Sequence, residues 1–392
     1  ETLEASHKMG IMDDVFASII DLFGRELEDE LNVLLKAGTI HCERRAHEVG
    51  DVAEFLDQIG IDSRMSRASY EKLMWYRDQG IREHFGGRLP DNLKEIAAYQ
   101  KVSNEEFSLS GFLAYSHIPF HKIYGSLTWG ELCQLAGVRE KVSPHSALIK
   151  FAVTKKWLAT DSYSYFTQLF KFVENEFRMD ERLFTEKERR CAVMFYYDLF
   201  GKAGNYENLT KMFQDFASDK MFIEELKEVL SYLRDRCSAP EKEDNSAYSE
   251  WNPLKLHGVY TKAQIQSALG LSTIERKSPS REGVERLKDI KLEAMYVDII
   301  KEREEGSMTA YKDYAQNREF FHWETQNRVR EGGREAEAYR NGENNMLLFV
   351  RQQVNHPDYG CRMGFVYLGQ VTLKSMEGSR PIQIVWHLNT PM

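Results

Sequence analysis

Cysteine is scarce in this 392-residue chain, and the five present (Cys42, Cys133, Cys191, Cys237 and Cys361) never fall in a C-x-x-C spacing. An odd, scattered set argues against a disulfide framework or a thiolate zinc site and fits a reducing cytoplasm. Such thiols are expected to serve as small buried apolar residues. No apolar run approaches the roughly 18–20 residues needed to cross a bilayer. The charged first turn is not a signal peptide. The chain starts at Glu1 rather than Met and reads as a piece of something larger.

Catalytic signatures are missing as well. A phosphate-cradling loop needs G-x-x-x-x-G-K-[ST], but Gly201-Lys202 runs into Ala203 and offers no hydroxyl for magnesium. Neither H-E-x-x-H nor G-x-S-x-G occurs, and His7-Lys8 and His121-Lys122 lack the intervening residue of an H-x-K phosphodiesterase motif. Glu275-Arg276-Lys277 has the E-x-K form of many nucleases. With no aspartate on a preceding strand, it reads as a solvated loop. The acidic run Glu26–Glu30 reads as a solvated helix face, since metal-binding carboxylates converge from different elements. No catalytic residue, cofactor or metal is assigned from sequence.

What is present is ordinary for a globular protein: 42% hydrophobic and 29% charged residues, in a length that suits two or three domains. The net charge of −9 is uneven. Residues 251–392 hold 20 Lys and Arg against 18 Asp and Glu, leaving 32 against 43 in residues 1–250. Nucleic-acid contact is therefore expected in the C-terminal part, although a net of +2 there is no basic footprint.

The periodicity divides the chain. Residues 1–100 read as a helical segment, with Ile11, Val15, Ile19, Leu22, Leu27, Leu31 and Leu34 forming a stripe at helical spacing. Residues 101–142 look tri-helical, closed by a Thr128–Glu131 capping box and Gly137, and are open to a helix-turn-helix reading. The third helix carries Trp129, Glu131 and Gln134 but no cation, which favours packing over DNA contact. Residues 143–237 read as a helical bundle centred on the apolar stretch Val193–Phe200. Residues 238–250, polar with a proline, read as a linker.

From residue 251 the period shifts towards two. A short helix, Thr261–Leu269, opens on a Thr261–Gln264 capping box and closes at Gly270. Strands are expected at Leu292–Lys301, Phe320–Asn327, Met346–Gln353, Phe365–Leu373 and Pro381–Leu388. In the last, Ile382, Ile384, Trp386 and Leu388 share one face. Gly378-Ser379-Arg380 makes the final hairpin turn. The expected fold is α+β: an all-helical N-terminal region, then a small β-rich domain shaped as a half barrel or barrel.

Several segments carry a resemblance. In order they are Asn252–Gly270, Arg281–Val284, Tyr311–Ala315, Phe321–Asn327, Leu347–Arg351, Tyr367–Gly369 and Gly378–Leu388. They are similar to a domain of unknown function at the C-terminal end of bacterial superfamily-2 DEAD/DEAH-type helicases, many of which carry a phospholipase-D-like nuclease. The tri-helical segment and the helices through Cys237 resemble the region before that domain, so the likeness spans about residues 105–392. It implies a parent that moves on or cleaves DNA, in a setting such as defence against foreign DNA. It supplies no activity for this region, and any helicase or nuclease module would lie elsewhere in the polypeptide or complex.

The densest candidate site is Tyr311–Asn327, which gathers five aromatics with a histidine, two glutamines and two asparagines. Rings beside hydrogen-bonding amides suit a planar polar ligand such as a flipped or modified base. Strand parity puts Phe321, Trp323, Thr325 and Asn327 on one face, and Phe320, His322, Glu324 and Gln326 on the other. The candidate ligand-binding residues are Tyr311, Tyr314, His322, Trp323, Glu324 and Gln326. Arg351, ending a neighbouring strand, could bind phosphate or carboxylate. The expected role is non-catalytic binding of nucleic acid, DNA rather than RNA, by the β domain. The alternative is a scaffold whose acidic helices dock a motor or partner subunit. A metal-dependent nuclease is a third reading, and core packing alone would also explain the rings.

Overall fold

The computed structural model describes residues 37–38, 40–78, 80, 82, 86–88, 108–116, 118–279, 283–300 and 312–391. The helix expected from Met12 to Leu35, the acidic run Glu26–Glu30 and Tyr311 lie outside them. The fold is α+β, and the chain divides into two units: residues 1–107 with 129–142, and residues 108–128 with 143–392. Among the described residues no helix is long and apolar enough to cross a membrane.

In the first unit, helices α1 (Cys42–Gln58) and α2 (Arg64–Asp78) form a hairpin. Ala46, Ala53 and Leu56 line the buried stripe of α1, spaced so that they share one face. Gly60, at φ 72°, makes the turn that a residue with a Cβ would resist. Asp57 accepts a 2.6 Å bond from Ser63 Oγ and pairs with Arg67. The tri-helical stretch forms as α3 (Leu109–Ser116), α4 (Phe120–Ser126) and α5 (Trp129–Leu135). The boundary between units falls inside it, with α5 in the first.

The second unit opens with a bundle: α6 (Ser146–Lys155), α7 (Tyr163–Glu174), α8 (Glu186–Phe200), α9 (Leu209–Ser218) and α10 (Lys220–Asp235). Helix α8 starts on a Thr185–Glu188 capping box, ends at Gly201 in the left-handed region, and buries most of Cys191–Leu199. A cage of rings fills the centre, with Phe177 5.4 Å from both Phe213 and Phe216, a distance typical of attractive aromatic pairs. Burial pushes the Cys191 thiol up to about 12, so it stays protonated and acts as a small hydrophobe. None of the five cysteines forms a disulfide.

Residues 238–250, linker-like in composition, are tied down. Glu241 accepts from Ser164 N–H and Oγ at 3.0 and 2.7 Å. Lys242 bridges Leu256, and Asp244 accepts from the buried Tyr367 hydroxyl at 2.7 Å. The charged side chains anchor this strap because they meet buried donors.

The remainder builds one sheet from β1 (Val259–Tyr260), β2 (Val284–Leu287), β3 (Leu292–Asp298), β4 (Tyr314–Ala315), β5 (Phe320–Glu324), β6 (Asn345–Arg351), β7 (Phe365–Glu377) and β8 (Gln383–Leu388). Two helices accompany it, α11 (Lys262–Ala268) and α12 (Arg334–Arg340). The Thr261–Gln264 capping box starts α11 as its sequence predicts. The strand order is β2-β3-β6-β7-β8-β5-β4, with β1 beside β7. Among the described residues only the β3–β6 pair is parallel. The sheet is open, so of the two expected shapes the closed barrel is excluded: among the described residues β2 and β4 end as separate edges and do not pair with each other.

One face of the sheet packs Met295, Phe321, Trp323, Ile384 and Trp386 against Ala336 and Tyr339 of α12. Ile382, Ile384, Trp386 and Leu388 all lie inward, as their alternation requires. Trp386→Ala is expected to lower unfolding free energy by about 3–5 kcal/mol; a urea midpoint equal to wild type would contradict this packing. Gly364 is a second sensitive position. A Cβ there would sit 2.2 Å from the Ala159 carbonyl oxygen and 2.7 Å from Val259 Cγ1. Gly364→Ala must therefore push the start of β7 away from the bundle, with an expected loss of roughly 1–3 kcal/mol. Unchanged thermal unfolding would refute that close approach.

Candidate functional site

The aromatic stretch is laid out by the pairing of β4 with β5, which sets Tyr314 opposite His322. Tyr314 is exposed, and its ring stacks on His322 at 4.8 Å. His322 is only 8% exposed. Its Nδ1 lies 2.7 Å from the Lys312 carbonyl; a carbonyl only accepts, so that nitrogen carries the proton. Glu324 accepts from the Lys312 N–H at 3.0 Å. Trp323 points the other way, into the sheet core, 6.0 Å from Tyr339. Gln326 is half-buried in the turn after β5, where its carbonyl accepts from Val329 N–H. The structure thus gathers Tyr314, His322 and Glu324 at the sheet edge, sends Trp323 to the core, and places Arg351 elsewhere.

Arg351 leads to a different place. At the end of β6 it pairs with Asp298 on β3, Nε to Oδ1 at 2.5 Å. Its guanidinium also lies over the Phe365 ring and donates to the Met363 carbonyl. Beside it opens a cavity of about 880 Å³. Six cations line it: Lys155 and Lys156 from the end of α6, Lys262 from α11, Lys277 from the loop after α11, Arg351, and Arg362 from the loop before β7. No Asp or Glu is among its described lining residues.

Local folding explains why these cations face the opening. Helix α6 buries Ile149, Ala152 and Val153, so Lys155 falls on its outer side. Lys262 lies behind the surface, 3.5 Å from the buried Glu285. Arg351 is likewise neutralised by Asp298. Lys155, Lys156, Lys277 and Arg362 form no ion pair among the described residues. Lys277 Nζ donates to the Gly201 carbonyl at 2.6 Å, which steers it without cancelling its charge. Burial lowers the Lys156 pKa, the direction expected of an ammonium crowded away from water. Lys155, Lys277 and Arg362, exposed and without an ion pair among the described residues, give the cavity a concave positive face.

The wall between β6 and β7 is a folded loop. Asn355 bridges Arg362, His356 N–H donates to the Cys361 carbonyl, and Met363 N–H donates to the Val354 carbonyl. This places His356 and Tyr359 face to face, with centroids 4.2 Å apart and planes 22° apart. Both rings line the large cavity and also a smaller neighbour of about 380 Å³. Among the described residues no group of three or more His, Cys, Asp or Glu is placed to hold a metal.

Sequence reasoning named Arg351 but missed Lys155, Lys156, Lys262, Lys277 and Arg362. They come from four separate stretches of chain, so no local cluster marks them. The Lys155-Lys156 doublet at a helix end is the one local signal available.

All eight strands and both accompanying helices fall within residues 254–392, which match the model of a domain of unknown function, DUF3427. Residues 6–75 match a second domain of unknown function, DUF1932. No curated protein and no solved structure matches the chain. The C-terminal third of this chain is thus similar to a domain whose function is unassigned, and the basic cavity combines residues of that match with Phe151, Lys155 and Lys156 from the preceding bundle.

Proposed function

We propose that this chain binds nucleic acid, through phosphates seated in the basic cavity between α6, α11 and the β6–β7 loop. One observation carries the reading: six Lys and Arg side chains converge on an 880 Å³ cavity with no carboxylate among its described lining. A concave site of one sign, walled by protein of low dielectric, focuses its field and draws a polyanion even to a protein of net charge −9. Phosphate contacts from Lys and Arg supply affinity without reading sequence. The likeness to the terminal region of helicase-type proteins favours DNA as the ligand and an accessory, non-catalytic role beside a motor or nuclease module.

A fluorescein-labelled 20-nucleotide DNA titrated with the whole chain tests this by anisotropy. With about four phosphates engaged, raising salt from 50 to 200 mM is expected to weaken binding roughly 50-fold. No binding at 50 mM salt, or binding indifferent to salt, would defeat the proposal.

A further inference from the structure

We infer that the strand held in this cavity is single, with one unpaired base stacked against the His356–Tyr359 pair. The inference rests on the nucleic-acid reading above and names the form of the ligand.

Three features lead to it. The paired rings stand at the junction of the two cavities, so a strand crossing from one to the other passes them. The ring pair is held in place by its own loop: Asp358 N–H donates to His356 Nδ1 at 3.2 Å, fixing the neutral tautomer protonated at Nε2. The His121 ring lies 5.1 Å from Tyr359, adding a third ring to the cluster. Burial lowers the pKa of both His356 and His121, so these rings meet a ligand as neutral π surfaces rather than as further cations.

A platform of this kind discriminates by availability. Bases in a duplex are already stacked and paired, whereas an unpaired base can exchange water for a ring face. Stacking of this type tolerates any sequence because every base has a π face. A cavity of 880 Å³ is of the size that encloses a small molecule or nucleotide rather than the side of a double helix. Lys155 and Arg362, which line the same cavity, then take the phosphates flanking the stacked base.

The test compares three labelled 12-nucleotide ligands on the whole chain at low salt: single-stranded DNA, its duplex, and the same strand with abasic sites replacing its central bases. The expected order puts the single strand at least 10-fold tighter than the duplex. The abasic strand, equal in charge, should lose between about 5- and 150-fold. Tyr359→Leu should erase the gap between intact and abasic strands while leaving the salt slope of both in place. Equal affinity for strand and duplex, or for intact and abasic strands on the wild-type protein, overturns the inference while leaving phosphate binding intact. Binding of none of the three overturns the phosphate reading and this inference with it.

Discussion

Reversing two charges, Lys155→Glu together with Arg362→Glu, is expected to cut DNA affinity on the order of 100-fold at physiological salt. Both side chains line the cavity, both are exposed, and neither has an ion-pair partner among the described residues. Their substitution should therefore leave the core unchanged. Each lost phosphate contact lowers the salt slope by about one, and each introduced carboxylate adds repulsion to the loss. The slope of log affinity against log salt should flatten by at least 1 in the double variant. A matched control, Lys211→Glu with Arg318→Glu, reverses the same charge away from the cavity lining and should change affinity less than threefold. Equal losses in the two doubles would assign the effect to net charge and not to this cavity.

Removing the Asp198 carboxylate is expected to cost about 3–5 kcal/mol of stability in Asp198→Ala. Asp198 is fully buried on α8 and accepts from Trp157 Nε1 at 2.7 Å, the Tyr165 hydroxyl at 2.8 Å and Gln264 Nε2 at 2.9 Å. Gln264 belongs to α11, so this carboxylate ties the sheet domain to the bundle. Alanine leaves three buried donors without an acceptor and an empty space beside them. Burial also raises the Asp198 carboxyl to about 6. Its folded pKa thus lies above its unfolded value, so folding takes up a proton between about pH 4 and 6. The contribution of this group to stability therefore falls as pH rises through that window. For Asp198→Asn, which has no such proton, the shortfall relative to wild type should be about 2 kcal/mol larger at pH 4.5 than at pH 7. Urea unfolding at both pH values measures it; a shortfall that grows with pH would contradict the assignment.

Much of the fold was legible because its signals are local. The two-residue alternation of Ile382, Ile384, Trp386 and Leu388 survives because β8 has a core on one side only. The apolar stretch around Val193–Phe200 and the Thr261–Gln264 box follow from helix geometry alone. Sheet closure was not legible, because which strands become edges depends on order across the whole domain. Residues 238–250 resemble a linker in composition, yet Glu241 and Asp244 find donors that lie far away in the chain. The site divides in the same manner. Strand parity correctly separates Phe321 and Trp323 from His322, while the stacking of Tyr314 over His322 depends on the β4–β5 register. Arg351 looked available for a ligand because its partner, Asp298, lies on a strand 53 residues earlier. The basic cavity is the extreme case: its cations come from separate elements, and only the folded chain brings them together.

Lysine acylation footprinting, read by mass spectrometry with and without saturating single-stranded DNA, tests the central claim most directly. It asks where the ligand sits. Bound DNA should protect Lys155 and Lys277 at the cavity mouth several-fold, and should leave Lys312 and Lys374 beside the β4–β5 edge as reactive as before. Protection of Lys312 and Lys374 with no change at Lys155 and Lys277 would contradict the account and return the site to the Tyr314–His322 stack.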